Sequence, residues 1–231
     1  MSPVVDVVVP ARDESPTVAD NVAAALACRY LREVFVVDHG STDDTGEAAA
    51  AAGAKVLRRD GPGGIGSKAQ AMAMGVSASD ADAILFVDAD CTGLRSTHLD
   101  EICEPFVEGR AEMSIGAFDY GPFWNPQVRR WPPLSGERIV GRELFEAIPS
   151  DKLDGYTIEV RLNEVVAERR LRTSVRTMRG VSHRTKRDKL GRVEGIRQTW
   201  RMYRSLLALP LTGGVRKRTY LCYLQRLTVA R

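Results

Sequence analysis

Ala83-Ile84-Leu85-Phe86-Val87-Asp88-Ala89-Asp90-Cys91 is an apolar run that stops abruptly at two carboxylates spaced i, i+2. Such a run reads as a parallel strand covered on both faces, with the acids emerging at its carboxyl end. Side chains two apart on a strand point the same way, which would aim Asp88 and Asp90 at one spot. Two carboxylates that close repel unless something positive lies between them, and a hard divalent cation serves well. A strand end followed by an Asx turn would write the same letters. The surroundings of the stretch separate the two readings.

Upstream, residues 4–9 are a β-branched run that reads as a central strand, ending in the polar loop Pro10-Ala11-Arg12-Asp13-Glu14. Ser15 followed by Pro16 predicts an N-cap and first helical position, with the helix running to about Cys28. Residues 34–37 give a second strand ending at Asp38, and a helix over the alanines stops at Gly53. Residues 55–58 predict a third strand, and residues 68–78 the helix that precedes the opening stretch. Strands thus alternate with helices four times, the mark of an α/β fold with a mostly parallel sheet flanked by helices. Ligands of such sheets bind outside the carboxyl ends of the strands, so Glu14, Asp38, Asp88 and Asp90 are expected along one edge. The glycine loop at 61–66 matches GxGxxG, but it follows the third strand and Pro62 removes an amide from the cradle. What it retains is a helix N-terminus beside Lys68 that suits an anionic group.

Beyond Asp90 the pattern predicts a helix over 96–109, a strand over 113–118, and a Pro- and Trp-rich loop or flap over 121–133. Pro133-Leu134-Ser135-Gly136-Glu137 leads into a helix to Ile148. An amphipathic helix over 155–170 places Ile158, Leu162, Val165 and Val166 on one face, with Glu159 near its start. Residues 172–178 read as a strand leading to Ser182-His183-Arg184, and arginine-rich helices over 196–209 and 215–229 finish the chain.

The 231 residues can bury a full core, and 44% hydrophobic with 27% charged residues is the balance of a soluble globular protein. No apolar run has the length of a membrane span, and the amino terminus lacks the layout of a secretory signal. The four cysteines form no CxxC pair, which argues against a zinc site or disulfide framework and fits a reducing cytoplasm. The formal charge of +3 hides an asymmetry: residues 184–231 hold 13 Lys/Arg against two acids. A basic tail on an acidic body suits a polyanionic partner, a membrane surface, nucleic acid or phosphorylated substrates; a solvated helix face or a subunit contact reads equally well.

The ordered set Pro10…Asp13-Glu14, Val37-Asp38-His39-Gly40-Ser41-Thr42-Asp43, Lys68 and Asp88-Ala89-Asp90 resembles the nucleotide-binding half of the GT-A (Rossmann-like) glycosyltransferases of family 2, across about residues 4–160. Pro133 to Glu137, Gly155-Tyr156-Thr157-Ile158-Glu159 and His183-Arg184 look like segments of one subgroup, the retaining, metal-dependent glucosyl-3-phosphoglycerate synthases. Asp13 stands where the family often has Asn, and His39 where a second acid is common. The resemblance implies transfer, with retention, of a sugar from a nucleotide-diphospho-sugar, UDP-linked, by an enzyme using Mg2+ or Mn2+. Pro10, Arg12 and Glu14 would line the base and ribose pocket and Asp38 would bond the base. Lys68 would approach the diphosphate or base. Asp88, with Ala89 beside it, would bind the ribose or water near the metal, and Asp90 and His183 would ligate the ion. Leu134 and Gly136 would border the donor sugar, and Glu159 would hold its hydroxyls or the acceptor. The catalytic set is then Glu159, Asp90 and Lys68. Residues 1–190 would form the catalytic domain, with a nucleotide half to residue 95 and a sugar and acceptor half from 96. Residues 191–231 would form a basic helical extension.

The acceptor would be a small molecule or a lipid phosphate. The tail would hold such a lipid at the inner membrane surface, leaving the enzyme cytoplasmic or peripheral, or would build a homodimer; nucleic acid is the weaker candidate. Two other readings stay open: a sugar-phosphate nucleotidylyltransferase, which wants a glycine-rich basic loop after the first strand, and a non-catalytic docking module.

Overall fold

The computed structural model describes residues 2–58, 67–130, 135–149, 158–183 and 227–229. An eight-stranded sheet is its centre, in the order β10-β8-β6-β7-β4-β1-β2-β3. The strands are β1 (Val5–Ala11), β2 (Leu31–Asp38), β3 (Lys55–Arg58), β4 (Ala83–Phe86), β6 (Met113–Phe118), β7 (Arg138–Gly141), β8 (Thr173–Met178) and β10 (Leu227–Val229). Every neighbouring pair is parallel except the two made by β7, which runs antiparallel between β4 and β6. A separate ribbon pairs β5 (Cys91–Thr92) with β9 (Ser182–His183).

The central strands carry apolar residues on both faces because both faces are covered. Val5, Val7 and Val9 of β1 face the layer of α1 (Val18–Leu26), α2 (Thr45–Ala51) and α4 (Ser96–Val107), whereas Val8 faces the opposite layer. That layer holds α3 (Lys68–Ala78), α6 (Arg142–Glu146) and α7 (Ile158–Glu168). Along β4 and one residue past it, Leu85 and Val87 join the first core, and Ile84 and Phe86 the second. Continuing that alternation by one step puts Asp88 on the side of α3 and α7. Both helices begin at this edge, and Ser67 fixes the start of α3: its hydroxyl accepts from Gln70 N while Gln70 Oε1 accepts from Ser67 N. Lys68, the next residue, is thereby held at the first helical position.

Several boundaries differ from the sequence reading. The first helix is capped at Thr17, not Ser15, because Thr17 N and Val18 N both close a turn onto Glu14 O. The 121–130 part of the expected loop is a helix, α5 (Gly121–Arg130). Asp119 makes it possible, accepting from Gly121 N and Asn125 Nδ2, and Pro122 falls where a helix has no use for an N–H. The helix expected after Glu137 is instead β7 followed by the short α6. Ile139 and Val140 are buried on opposite faces, a demand only a strand meets. β4 ends at Phe86 and residues 89–90 turn, so strand periodicity does not set a common direction for Asp88 and Asp90. Leu227–Val229, expected as the end of a helix, is a strand on β8. The glycine loop, Leu134, Tyr156 and the helices expected over 196–209 and 215–226 lie outside the described residues.

Candidate active site

The loops after β1 and β2 are laced together at the carboxyl edge. Asp13 has φ 55°, a left-handed conformation that Asp and Asn tolerate best among residues with a side chain. Its carboxylate accepts from Thr42 N at 2.8 Å and Thr42 Oγ1 at 3.1 Å, and its own N–H donates to Ser41 Oγ at 3.1 Å. Glu14 N donates to Thr45 Oγ1 at 2.8 Å and Ser15 N to Asp43 Oδ2 at 3.2 Å. The result presents two buried acids, Glu14 after β1 and Asp38 at the end of β2, with Asp38 Oδ1 accepting from Ser41 N. Pro10 lies within β1, opposite Val37, and Arg12 is an exposed side chain 3.8 Å from Asp13. Ala89 is buried, and its carbonyl accepts from Thr17 Oγ1 and Asn21 Nδ2. Its part is to pin the turn between Asp88 and Asp90 to α1.

Lys68 stands at the middle. Its Nζ lies 2.6 Å from Asp88 Oδ1 and 2.8 Å from Glu159 Oε1, joining α3, the end of β4 and the start of α7. Burial alone would push the ammonium down, but the charges of Asp88 and Glu159 and their hydrogen bonds hold it well above its ordinary value. On the other side of Asp88 lies Gly136. A Cβ there would come within 2.4 Å of both Asp88 carboxylate oxygens, so only glycine lets the 135–137 loop lie against that acid. Gly136→Ala is expected to drive Asp88 off Lys68 and to cut kcat/KM about tenfold to a hundredfold, the scale of a small misplacement at a reacting centre. Melting curves that stay close to wild type alongside that loss would mark the defect as local.

Two buried charges missed as functional candidates support this arrangement. Glu137 is fully buried; it accepts from Cys91 Sγ at 3.1 Å, from Asp88 N at 3.4 Å and from the Ser135 hydroxyl. Arg138, also fully buried, donates to Ser135 O (2.9 Å), Glu159 O (3.2 Å) and Asn163 Oδ1 (3.0 Å), fastening the loop to the first turn of α7. Their only trace in the sequence is an opposite-charge pair opening a β-branched strand. Burial, then the charge of Asp88, pushes the Glu137 carboxyl up to about 7 from an ordinary 4.5. The folded chain therefore keeps a proton that the unfolded chain releases, and stability falls as pH rises through that window. Urea midpoints measured across it are expected to decline for the wild type and to lose that decline in Glu137→Gln.

His183, 93 residues beyond Asp90, is brought back by the β5–β9 ribbon, in which it pairs directly with Cys91. Gly93 and Gly180 permit the close approach: both have positive φ, and a Cβ on Gly93 would sit 2.7 Å from Gly180 O. The imidazole is exposed, with its ring centroid 5.0 Å from that of Phe118. Among the described residues no three His, Cys, Asp or Glu side chains converge as a cage for a metal ion. One carboxylate and one imidazole at a polar edge nevertheless fit Mg2+ or Mn2+, which usually complete their shells with water and substrate phosphate oxygens.

Comparison with known proteins shows the family and the fold. The model of the family described as Glycosyl transferase family 2 matches residues 6–151. Glucosyl-3-phosphoglycerate synthase of Mycolicibacterium paratuberculosis is 28% identical over 185 residues, covering 74% of this chain and 54% of that protein. The enzyme of the same name from Mycobacterium tuberculosis is 26% identical over 185 residues, covering 74% and 55%. The chain thus spans about half the length of these curated relatives. A crystal structure of the M. tuberculosis synthase with Mn2+, UDP and glucosyl-3-phosphoglycerate superposes with a TM-score of 0.65 at 24% identity, covering 79% of this chain and 72% of that one. Its complex with Mg2+ and UDP gives 0.66 at 24% identity, with the same coverage.

Proposed function

This chain belongs to glycosyl transferase family 2, and from that membership we propose that it transfers a sugar from a UDP-sugar to a phosphate-bearing acceptor, with retention and with Mg2+ or Mn2+. The observation that carries the reading is Lys68, one ammonium held between Asp88 and Glu159 at the carboxyl edge of a parallel sheet. A nucleoside diphosphate gains negative charge as its bond to the sugar breaks. A fixed cation beside it is worth most at that moment, because it needs no reorganisation to meet the charge. The ion held by Asp90 and His183 would supply Lewis-acid stabilisation of the same diphosphate. Pro10, Arg12, Glu14 and Asp38 would bind base and ribose, with Asp88 at the ribose. Gly136 and Leu134 would border the sugar. Glu159, bonded to Lys68 and anchored through Arg138, would position the sugar hydroxyls or the acceptor rather than attack.

The relatives named above support the donor and the ion through their complexes with UDP, Mn2+ and Mg2+. A related structure with UDP-glucose and phosphoglyceric acid supports a phosphorylated acceptor. Residues 1–190 would be the catalytic domain, and the basic segment from 191 would meet the acceptor's phosphate, a membrane surface or a second copy. Among the described residues no helix is long and apolar enough to cross a membrane. Calorimetry of UDP with and without Mn2+ tests the reading, followed by metal-dependent turnover of a nucleotide-sugar panel with phosphorylated acceptors. Metal-dependent UDP binding and turnover are expected; absence of nucleotide affinity under both conditions would sink the proposal.

A further inference from the structure

β6 and β8 end side by side, with Phe118 opposite Met178 in the parallel register. From Met178 the chain turns through Arg179, Gly180 and Val181 into β9, which carries His183. The turn closes through Val181 N onto Met178 O at 3.2 Å, and Gly180 supplies a φ of 73° that a side chain would resist. Asp119, the residue after β6, reaches across to this turn, and its Oδ2 accepts from Gly180 N at 3.3 Å. The other oxygen accepts from Gly121 N at 2.9 Å and Asn125 Nδ2 at 2.8 Å, at the start of α5. These bonds, that of Asn125 first, hold the carboxyl below its ordinary range, so it stays an acceptor throughout the neutral region. Three N–H groups on two oxygens make Asp119 an anchor rather than a ligand. His98 of α4 also hydrogen-bonds the backbone of the turn, at Arg179. Phe118 touches His183 itself: packed against the first core, it places its ring centroid 5.0 Å from that of the imidazole, with the planes at 59°.

We propose that Asp119 and Phe118 are positioning residues for the metal centre: the carboxylate holds the turn that brings His183 toward Asp90, and the ring sets the direction of its imidazole. The proposal rests on the assignment of His183 to the ion and adds the two residues that keep that side chain in place. An exposed imidazole at the end of a two-residue strand is poorly held by its own backbone. A ligand that must be ordered at the moment of binding subtracts that entropy from the affinity, whereas one ordered beforehand does not. Groups that orient a ligating imidazole therefore matter although they never touch the ion. Asp119 has two duties, one toward α5 and one toward the turn, and its oxygens divide them. Asn125→Ala removes a donor on the α5 side and leaves Gly180 N its acceptor, so the two duties can be tested apart.

The experiment titrates Mn2+ into the chain with UDP present, read by electron paramagnetic resonance, for the wild type, Asp119→Ala, Phe118→Leu, Asn125→Ala and His183→Ala. Melting curves and metal-free UDP binding are the controls. Asp119→Ala is expected to weaken Mn2+ binding about tenfold, the usual cost of losing a partner that orients a ligand. Phe118→Leu, which keeps apolar bulk but not the ring, is expected to weaken it about threefold to tenfold. Metal-free UDP binding is expected to stay unchanged in both, and Asn125→Ala is expected to bind Mn2+ as the wild type does. Wild-type Mn2+ affinity in a folded Asp119→Ala overturns the part given to the carboxylate, and in a folded Phe118→Leu the part given to the ring. An equal loss in Asn125→Ala overturns the route through Gly180. If Asp119→Ala does not fold, Phe118→Leu decides alone. A wild type that binds no Mn2+, or a His183→Ala chain that binds it undiminished, overturns the metal assignment instead, and the proposal falls with it.

Discussion

Lys68→Met is expected to lower kcat/KM about a thousandfold while leaving the chain folded, on the scale of removing one preorganised electrostatic contact. Methionine keeps the length and apolar stem of lysine, so the packing of the first turn of α3 survives. What disappears is the cation between Asp88 and Glu159, whose carboxylates lie 2.6 and 2.8 Å from its nitrogen. Glu137 already stands behind Asp88, fully buried. Asp88, Glu159 and Glu137 would then lie close together without the ammonium that bridges the first two, and removing one side of such a pair typically costs several kcal/mol. Part of that cost is relieved as the acids take up protons, and a diphosphate meets repulsion where it met attraction. Because the ammonium is held above its ordinary value, it stays charged through the neutral and mildly alkaline range. An alkaline loss of wild-type activity near neutrality would therefore belong to another group. A Lys68→Met chain that keeps kcat/KM within about tenfold of wild type would refute the electrostatic role.

The elements legible in the sequence are those whose cause is local. β3, α3 and β6 fall at their expected residues because a β-branched or alanine-rich run is bounded by turn or cap residues close by. The fold class follows from their alternation. The missed elements answer to distant partners. β7 exists because β4 and β6 leave a gap between them, and nothing near Arg138 announces it. α5 depends on one aspartate that caps it, against two prolines that argue for a loop. The candidate site divides the same way. Asp38, Asp88 and Lys68 could be named from strand ends and a helix start. The joining of Lys68 to Glu159 spans 91 residues and appears only in the fold. Glu137 and Arg138 look in sequence like an exposed charge pair; burial gives them their part, and burial is a property of the whole sheet. The role proposed for His183 comes from the family resemblance alone, since the two-residue strand β9 would never have suggested one.

Asp90→Ala and His183→Ala are each expected to weaken UDP binding in Mn2+ at least about a hundredfold, while changing metal-free UDP binding little. Geometry comes before chemistry at this corner of the sheet. A metal ligand 93 residues from its partner acts only if the chain returns to the same place, and the pairing of Cys91 with His183 brings it there. Directly opposed residues of an antiparallel pair lie about 4.5–5.5 Å apart at Cα, so Asp90, one residue away, is a near neighbour of the imidazole's backbone. The ribbon is only two residues long on each side and leans on the approach of Gly93 to Gly180 O at 2.7 Å for a would-be Cβ. Gly93→Ala therefore separates two explanations of any metal effect. If His183 works through its position, pushing β9 away weakens Mn2+-dependent UDP binding although both candidate ligands are intact. If the ribbon is only a brace, Gly93→Ala lowers the melting temperature and leaves the metal dependence as it was. Mn2+ titration followed by electron paramagnetic resonance reads the ion directly, without turnover. Its signal in the presence of UDP is expected to shift to the bound form in the wild type, partly in Gly93→Ala, and not in Asp90→Ala or His183→Ala. Undiminished Mn2+ binding in both ligand variants would remove the ion from this corner of the sheet and leave the electrostatic role proposed here to Lys68.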